Sequence, residues 1–193
     1  MPRLAPGRPE GASGSAAAMP YSVCMFRRGD PTLLACAVLA VGAVGVALVL
    51  QHAFDMRPCA WCTFQRLLFL LVAVLALAGW ALGRVRGAAA ACAALAGLVA
   101  VGGVWAALHQ QFVAAQAQSC AFTLADRVLM NTRLDEFLPW LFEATASCSE
   151  ANVALLGLPF ALWSAALFVV LALLAGRAAL RARPPAPAAR PAV

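Results

Sequence analysis

The sequence predicts an all-α fold, a polytopic membrane four-helix bundle with two larger loops at one end. Two properties of the chain support this fold class. Of the 193 residues, 64% are hydrophobic and 11% are charged, whereas soluble domains are about 45–50% apolar and about 25% charged. Four apolar segments, each close to the roughly 20 residues that a helix needs to cross a bilayer, lie at 32–51, 64–82, 88–108 and 160–178.

The segments that flank these spans are expected to be disordered. Residues 1–30 are rich in Pro, Gly, Ala and Ser, and we expect a cytoplasmic extension there. A secretory signal is the less favoured alternative, because the apolar run at 32–51 exceeds the about 7–15 residues of a signal-peptide core. Residues 181–193 form a Pro/Ala/Arg-rich cytoplasmic tail. The membrane domain is therefore predicted to cover 31–180.

The distribution of arginine predicts how the chain is oriented in the membrane. Ten of the 14 basic residues are found in three places: four before residue 30, two in the turn at 84–86 and four after residue 176. The positive-inside rule then places both termini in the cytoplasm and the loops at about 52–62 and 109–158 in the periplasm. A net charge of +6 can also favour nucleic acid, but topology explains these arginines better, and we expect no nucleic-acid partner.

The cysteines divide between the two sides of the membrane. Cys24 falls in the cytoplasmic tail, and Cys36 and Cys92 fall in or near apolar spans, where cysteine is usually a small buried apolar residue. The other four cysteines are on the predicted periplasmic side, where disulfides persist: Cys59, Cys62, Cys120 and Cys148. They admit three interpretations, namely two structural disulfides, two disulfides that exchange with each other, or a zinc site. Zinc is disfavoured by the spacing, since only one CxxC is present.

Three features of the CxxC segment favour disulfide exchange. CxxC pairs often contain a reactive thiolate. Cys62 lies at the amino-terminal end of the second span, where the helix dipole favours a negative charge. Arg66 follows four residues later and shares the helix face of Cys62, and a charged side chain within a membrane segment points by default to a function.

The predicted periplasmic loop contains one amphipathic stripe. Apolar residues recur there at helical spacing, with Pro139 interrupting the pattern: Leu134, Phe137, Leu138, Leu141 and Phe142. Such a stripe either lies flat on the bilayer or packs on the bundle, and the sequence favours neither.

The motifs together resemble a known family. The segment Pro58-Cys59-Ala-Trp-Cys62-Thr-Phe-Gln-Arg66 is similar to the first-loop motif of the disulfide bond formation protein B family, DsbB. Gln51-His52 resembles the end of that family's first helix. Leu156-Gly-Leu-Pro159 with Trp163 resembles the start of its fourth helix, and the pair Cys120 and Cys148 has a family-like separation. The resemblance covers about residues 30–178.

This resemblance implies a quinone-dependent protein disulfide oxidoreductase of the bacterial inner membrane. Such an enzyme reoxidises a periplasmic DsbA-type thiol oxidase and passes the electrons to the membrane quinone pool, which sustains disulfide bond formation. DsbA proteins are strong oxidants, at about −120 mV, so the acceptor needs a higher potential. We therefore expect ubiquinone, with menaquinone as the second candidate and no metal.

The resemblance also implies a role for each candidate site residue. A thiolate of DsbA attacks Cys120 and releases Cys148, which attacks Cys59, and Cys62 then faces the quinone. Arg66 is expected to stabilise the Cys62 thiolate and the charge that develops on a quinone oxygen. His109, at the outer end of the third span, is expected to lie near the quinone.

Two other functions are alternatives to a DsbB-like enzyme. A vitamin K epoxide reductase-like enzyme also has four helices and a CxxC, but there the CxxC comes late, whereas here it precedes the second span. A structural membrane protein with two inert disulfides is the alternative from a different class, and substitution of Cys62 distinguishes it from an enzyme.

Overall fold

The computed structural model describes residues 29–116 and 123–182. In chain order its elements are α1 (Pro31–Ala53), α2 (Ala60–Ala81), α3 (Arg86–His109), a π-helical turn (Gln110–Ala114), α4 (Leu124–Thr132), α5 (Leu134–Phe137), α6 (Pro139–Phe142), β1 (Ala154–Leu155), β2 (Leu158–Pro159) and α7 (Phe160–Ala182). Within the described residues, four helices are long and apolar enough to cross a membrane, namely α1, α2, α3 with its π-helical turn, and α7. The predicted all-α membrane four-helix bundle is confirmed. The predicted terminal tails fall almost wholly outside the described residues.

Local sequence explains where these helices begin. Asp30 caps α1, because its side chain accepts a hydrogen bond of 2.9 Å from the backbone N–H of Thr32. Pro31 takes the first helical position, where a missing N–H is tolerated. Cys59 is the N-cap of α2, in an extended conformation with φ −90° and ψ 171°. The second span therefore begins at Ala60, four residues earlier than the apolar run at 64–82 suggested.

The four spanning helices are arranged in a ring, in the order α1, α2, α3, α7. The contact between α3 and α7 is the most extensive, and the contact between α1 and α7 is the least extensive of the four. The bundle therefore has a loose seam between the first and last helices. Chain direction puts the end of α1, the start of α2, the end of α3 and the start of α7 at one end.

The centre of the bundle is packed with small residues around one aromatic pair. Phe69 of α2 and Phe168 of α7 stack with their ring centroids 3.8 Å apart and their planes 6° from parallel. Gly103 of α3 faces this pair, because a Cβ atom built on Gly103 would clash with the Phe168 ring. Close approach of α3 to α7 thus requires glycine at position 103, as is common for small residues in membrane bundles.

The amphipathic stripe forms two short helices separated at Leu138, directly before Pro139. Leu141 and Phe142 of α6 are buried, whereas Phe137 of α5 and Trp140 of α6 are exposed. The carboxyl-terminal part of the stripe therefore packs on the bundle, and only the remainder is free to face a bilayer.

A small antiparallel hairpin precedes α7. The sequence pattern does not predict this hairpin. Ala154 pairs with Pro159 and Leu155 with Leu158. The two turn residues, Leu156 and Gly157, both have positive φ angles, of 55° and 83°, as a type I′ turn requires.

Gly103→Ala tests the close approach of α3 to α7. The added methyl group meets a Phe168 ring that is itself buried and stacked, so we expect a destabilisation of about 1–3 kcal/mol. Gly102→Ala is the matched control, since an added Cβ there has nothing within 4 Å. Thermal unfolding of both variants in detergent measures the difference, and equal stabilities would contradict this account of the packing.

Candidate functional site

The CxxC pair sits at the start of α2, where the bundle meets the loops. The sulfur atoms of Cys59 and Cys62 are 3.0 Å apart, and both are free thiols. Cys59 is fully buried, whereas Cys62 is partly exposed. The Thr63 hydroxyl donates to the carbonyl oxygen of Ala60 at 2.9 Å. The first helical turn therefore presents a buried cysteine and a partly exposed cysteine side by side.

Cys148 lies against this pair, although it is 86 residues further along the chain than Cys62. Its loop is fastened to the CxxC segment, because the backbone N–H groups of Thr145 and Ala146 donate to the carbonyl oxygen of Pro58 at 3.0 and 3.2 Å. Cys148 packs against the buried cluster that includes Cys59, close enough for the two thiols to influence each other's pKa. Three sulfur atoms are thus gathered at one end of the bundle.

The hydrogen bond between Cys59 and Cys148 acts in opposite directions on the two thiols. It is the main cause that raises the pKa of Cys59 well above its usual range, followed by the hydrogen bond with Cys62 and by burial. The same bond lowers the pKa of Cys148, against an opposing effect of burial. Cys148 is therefore the better thiolate of the two.

Arg66 lies one helical turn after Cys62, with only 5% of its surface exposed. Its Nη1 atom donates to the Gln51 side-chain oxygen at 2.7 Å and to the Leu141 carbonyl oxygen at 2.9 Å. A buried guanidinium needs such partners, since an unpaired buried charge is costly. Arg66 therefore joins α1, α2 and α6 just below the sulfur cluster.

A pair of buried glutamines, which the sequence analysis did not identify, completes the polar part of the site. Gln65 donates to the side-chain oxygen of Gln110, and the Nε2 atom of Gln110 donates to the Cys62 sulfur at 3.2 Å. Each glutamine is 4% exposed. The sequence contains a signal for them, because both are uncharged polar residues within or beside apolar spans. Polarity alone does not indicate that these two side chains are in contact.

A cavity of about 570 Å³ opens beside these groups, at the loose seam between α1 and α7. Its walls are mostly apolar, and its polar lining includes Cys62, Gln65, Arg66 and Gln110. The space is therefore suited to an apolar molecule that has polar atoms at one end. Such a molecule would have both the Cys62 side chain and the permanent positive charge of Arg66 beside it.

His109 lies away from this cavity, and its ring is not among the residues that line it. The ring packs instead against Trp61 and Trp105, with centroid distances of 4.7 and 5.1 Å. Within the described part of the chain, the Nδ1 atom of His109 and the Nε1 atom of Trp61 have no hydrogen-bond partner. A contact between His109 and a quinone remains a prediction.

The structure does not bring the remaining cysteines to the site. Cys36 of α1 is buried towards the other end of the bundle, where Cys92 of α3 approaches Gly79. Cys24 and Cys120 lie outside the described residues. Among the residues that are described, no group of three or more His, Cys, Asp or Glu side chains is arranged to hold a metal ion.

Comparison with known proteins identifies the family. The family model for disulfide bond formation protein DsbB matches residues 29–178. The chain belongs to the DsbB family. The match includes all four spanning helices up to Ala178 and the three clustered cysteines. DsbB membership decides against the vitamin K epoxide reductase-like alternative.

Individual members of the DsbB family match most of the chain. Disulfide bond formation protein B 1 of Pseudomonas savastanoi pv. phaseolicola is 30% identical over 159 residues, covering 82% of this chain and 94% of the relative. Disulfide bond formation protein B of Aromatoleum aromaticum is 33% identical, covering 71% and 84%. That of Herminiimonas arsenicoxydans is 31% identical, covering 77% and 93%. The chain is thus a multi-pass membrane protein of disulfide bond formation, and its family implies a disulfide oxidoreductase.

Cys59→Ala tests the coupling between Cys59 and Cys148. Removal of the Cys59 thiol should raise the pKa of Cys148, because the hydrogen bond that favours its thiolate is lost. Below the new pKa, alkylation of Cys148 by iodoacetamide should become slower, and at alkaline pH the two proteins should converge. Peptide mass spectrometry of the reduced protein across pH measures this rate. Cys92→Ala is the control, and an unchanged pH profile in Cys59→Ala would refute the coupling.

Proposed function

We propose that this chain is a quinone-dependent thiol–disulfide oxidoreductase of the bacterial inner membrane, which reoxidises a periplasmic DsbA-type protein. The single observation that carries the proposal is the arrangement of the three sulfur atoms. Cys148 packs beside the buried Cys59, and Cys62 is next to Cys59 and also lines the apolar cavity. The three cysteines thus connect the loop that carries Cys148 to the apolar cavity between the membrane-spanning helices. Transfer of electrons from a soluble protein to a membrane carrier requires such a connection.

The proposed orientation places the sulfur cluster on the periplasmic side. Arg84, Arg177 and Arg181 lie at the opposite end of the bundle from Cys59, which is the end that the positive-inside rule assigns to the cytoplasm. There Arg181 also approaches Asp30, at 3.9 Å. Both termini are cytoplasmic in this orientation, and the loop that carries Cys148 faces the oxidising compartment.

The first exchange takes place at Cys120, by analogy with the family. A thiolate of reduced DsbA attacks the Cys120 sulfur in a Cys120–Cys148 disulfide. The bond between Cys120 and Cys148 breaks, a mixed disulfide between DsbA and Cys120 forms, and Cys148 leaves as a thiolate.

The second exchange transfers the bond to the CxxC pair. The Cys148 thiolate attacks Cys59 in a Cys59–Cys62 disulfide, a Cys59–Cys148 bond forms, and Cys62 leaves as a thiolate. The second thiol of DsbA then displaces Cys120, which leaves DsbA oxidised. Cys120 attacks Cys148, so the Cys120–Cys148 disulfide returns and Cys59 and Cys62 remain as a dithiol.

The cavity provides a place for the electron acceptor. A quinone bound there would accept the two electrons and two protons that are released when Cys59 and Cys62 rejoin as a disulfide. The apolar walls suit its ring and tail, and Arg66 provides a positive charge for an oxygen that becomes negative. We propose ubiquinone first and menaquinone second, since DsbA at about −120 mV needs an acceptor of higher potential.

Quinone reduction by the purified full-length protein tests this function. With reduced DsbA and ubiquinone, we expect loss of the quinone absorbance at a rate proportional to the protein, together with oxidised DsbA. Cys62→Ala should abolish the reaction, whereas Cys92→Ala should retain it. Full activity in Cys62→Ala would instead support a membrane protein with inert disulfides, and trials with menaquinone distinguish the acceptor.

Arg66→Ala should impair the use of quinone more than the use of DsbA. Loss of a charge that acts at the developing oxyanion costs about 2.7–4 kcal/mol in comparable sites, so we expect kcat to fall about 100-fold or more, with little change in the KM for DsbA. Steady-state kinetics with each substrate varied in turn measure both effects. Arg177→Ala, at the opposite end of the bundle, is the matched control. Unchanged quinone kinetics in Arg66→Ala would remove Arg66 from the site.

A further inference from the structure

We propose that Gln110 stabilises the Cys62 thiolate directly, and that Gln65 is the positioning residue that fixes the orientation of the Gln110 amide. The inference rests on the proposed function, in which Cys62 is the sulfur released in the second exchange. It adds two residues to the four cysteines and the arginine already assigned.

The contacts form a short chain of hydrogen bonds that ends on sulfur. The Gln65 side-chain N–H donates to the Gln110 oxygen, and the Gln110 side-chain N–H donates to Cys62 at 3.2 Å. Among the described residues, the hydrogen-bond partners of the Cys62 sulfur are Cys59 and Gln110. Gln110 is therefore the neutral donor available to Cys62 when the bond to Cys59 is broken.

The role of Gln65 follows from the chemistry of an amide group. A glutamine side chain has an NH₂ donor and an oxygen acceptor, and rotation by half a turn exchanges them. Because Gln65 donates to the oxygen of Gln110, the NH₂ group is the part of Gln110 that faces the sulfur. Without Gln65, the two orientations of the Gln110 amide would compete at Cys62.

The backbone also singles out Gln110. It is the first residue of the π-helical turn that ends α3, and such turns are rare and frequently occur at functional sites. Gln110 is buried, whereas the next residue, Gln111, is partly exposed and Phe112 is mostly exposed. The turn thus directs one polar side chain inwards, towards α2.

The chemical step that benefits is the release of Cys62. When the Cys148 thiolate bonds to Cys59, the Cys59–Cys62 bond breaks and its electron pair stays on the Cys62 sulfur, without a proton. An N–H donor in place lowers the free energy of that anion, since hydrogen bonds to charged groups are about twice as strong as neutral ones. Among the described residues, the hydrogen bonds of Arg66 go to Gln51 and Leu141, whereas the amide of Gln110 donates to the Cys62 sulfur itself.

The test compares methionine variants of the full-length protein in lipid nanodiscs. Gln110→Met and Gln65→Met keep an unbranched side chain of similar length but remove the amide, and Gln116→Met, at an exposed position, is the control. Two quantities are measured, the rate at which iodoacetamide alkylates Cys62 in the reduced protein at pH 6, and kcat and KM with reduced DsbA and ubiquinone.

We expect Gln110→Met to reduce kcat about tenfold, as loss of one charge-assisted hydrogen bond predicts, with an unchanged KM for DsbA. Alkylation of Cys62 should slow about threefold, because a tenfold smaller thiolate fraction is partly offset by the greater nucleophilicity of a more basic sulfur. Gln65→Met should show smaller changes of the same kind. The double variant should match Gln110→Met alone, since Gln65 acts only through Gln110.

The outcomes separate this inference from the proposed function. Alkylation and kcat equal to those of Gln116→Met, in folded Gln110→Met, would overturn the role of Gln110, and additive effects in the double variant would overturn that of Gln65. If Gln110→Met does not fold, the test uses Gln65→Met instead. Alkylation of Cys62 in Gln65→Met at the rate found in Gln116→Met would then overturn the proposed chain of hydrogen bonds. If the unsubstituted protein reduces no quinone while the alkylation differences persist, the proposed function fails and the role of the glutamines at Cys62 stands.

Discussion

The burial of the Arg66 guanidinium is the constraint on which the site depends. A positive charge inside an apolar bundle is tolerated only if its N–H groups find acceptors, and here the acceptors are the Gln51 side chain and the Leu141 carbonyl oxygen. One acceptor belongs to α1 and the other to the loop helix α6. The need to satisfy one charge therefore fixes the loop, the first helix and the second helix relative to each other, directly beside Cys62.

The cavity exists because the helices do not pack equally well around the ring. Gly103 and the stacked pair of Phe69 and Phe168 hold α3, α7 and α2 in close contact. The seam between α1 and α7 has no equivalent of this glycine and stacked aromatic pair. The space that is left at the seam is lined by Cys62 and Arg66. Tight packing on one side of the bundle and loose packing on the other thus combine a rigid frame with a binding space.

Much of the fold could be predicted from the sequence, because length and hydropathy determine which segments cross a membrane. The juxtaposition of Cys62 and Arg66 was also predictable, since both lie on one helix four residues apart. The proximity of Cys148 to Cys59 was implied only by resemblance to a family, because the two cysteines are 89 positions apart in the chain. The glutamine pair was not predictable, because it depends on the exact rotation of α3 against α2 and on a π-helical turn that no local pattern indicates. The position of His109 against Trp61 depends on the same rotation.

The seam between α1 and α7 also has a consequence for biosynthesis. The cavity is closed by the first and the last spanning helices, so it is complete only when the ribosome has released almost the entire chain. Membrane helices enter in order from the amino terminus, as domains do during synthesis. An unfinished chain would already hold the CxxC pair and Arg66 but would lack the wall that α7 supplies. The binding space beside Cys62 and Arg66 therefore takes its final shape only when the last spanning helix has been inserted.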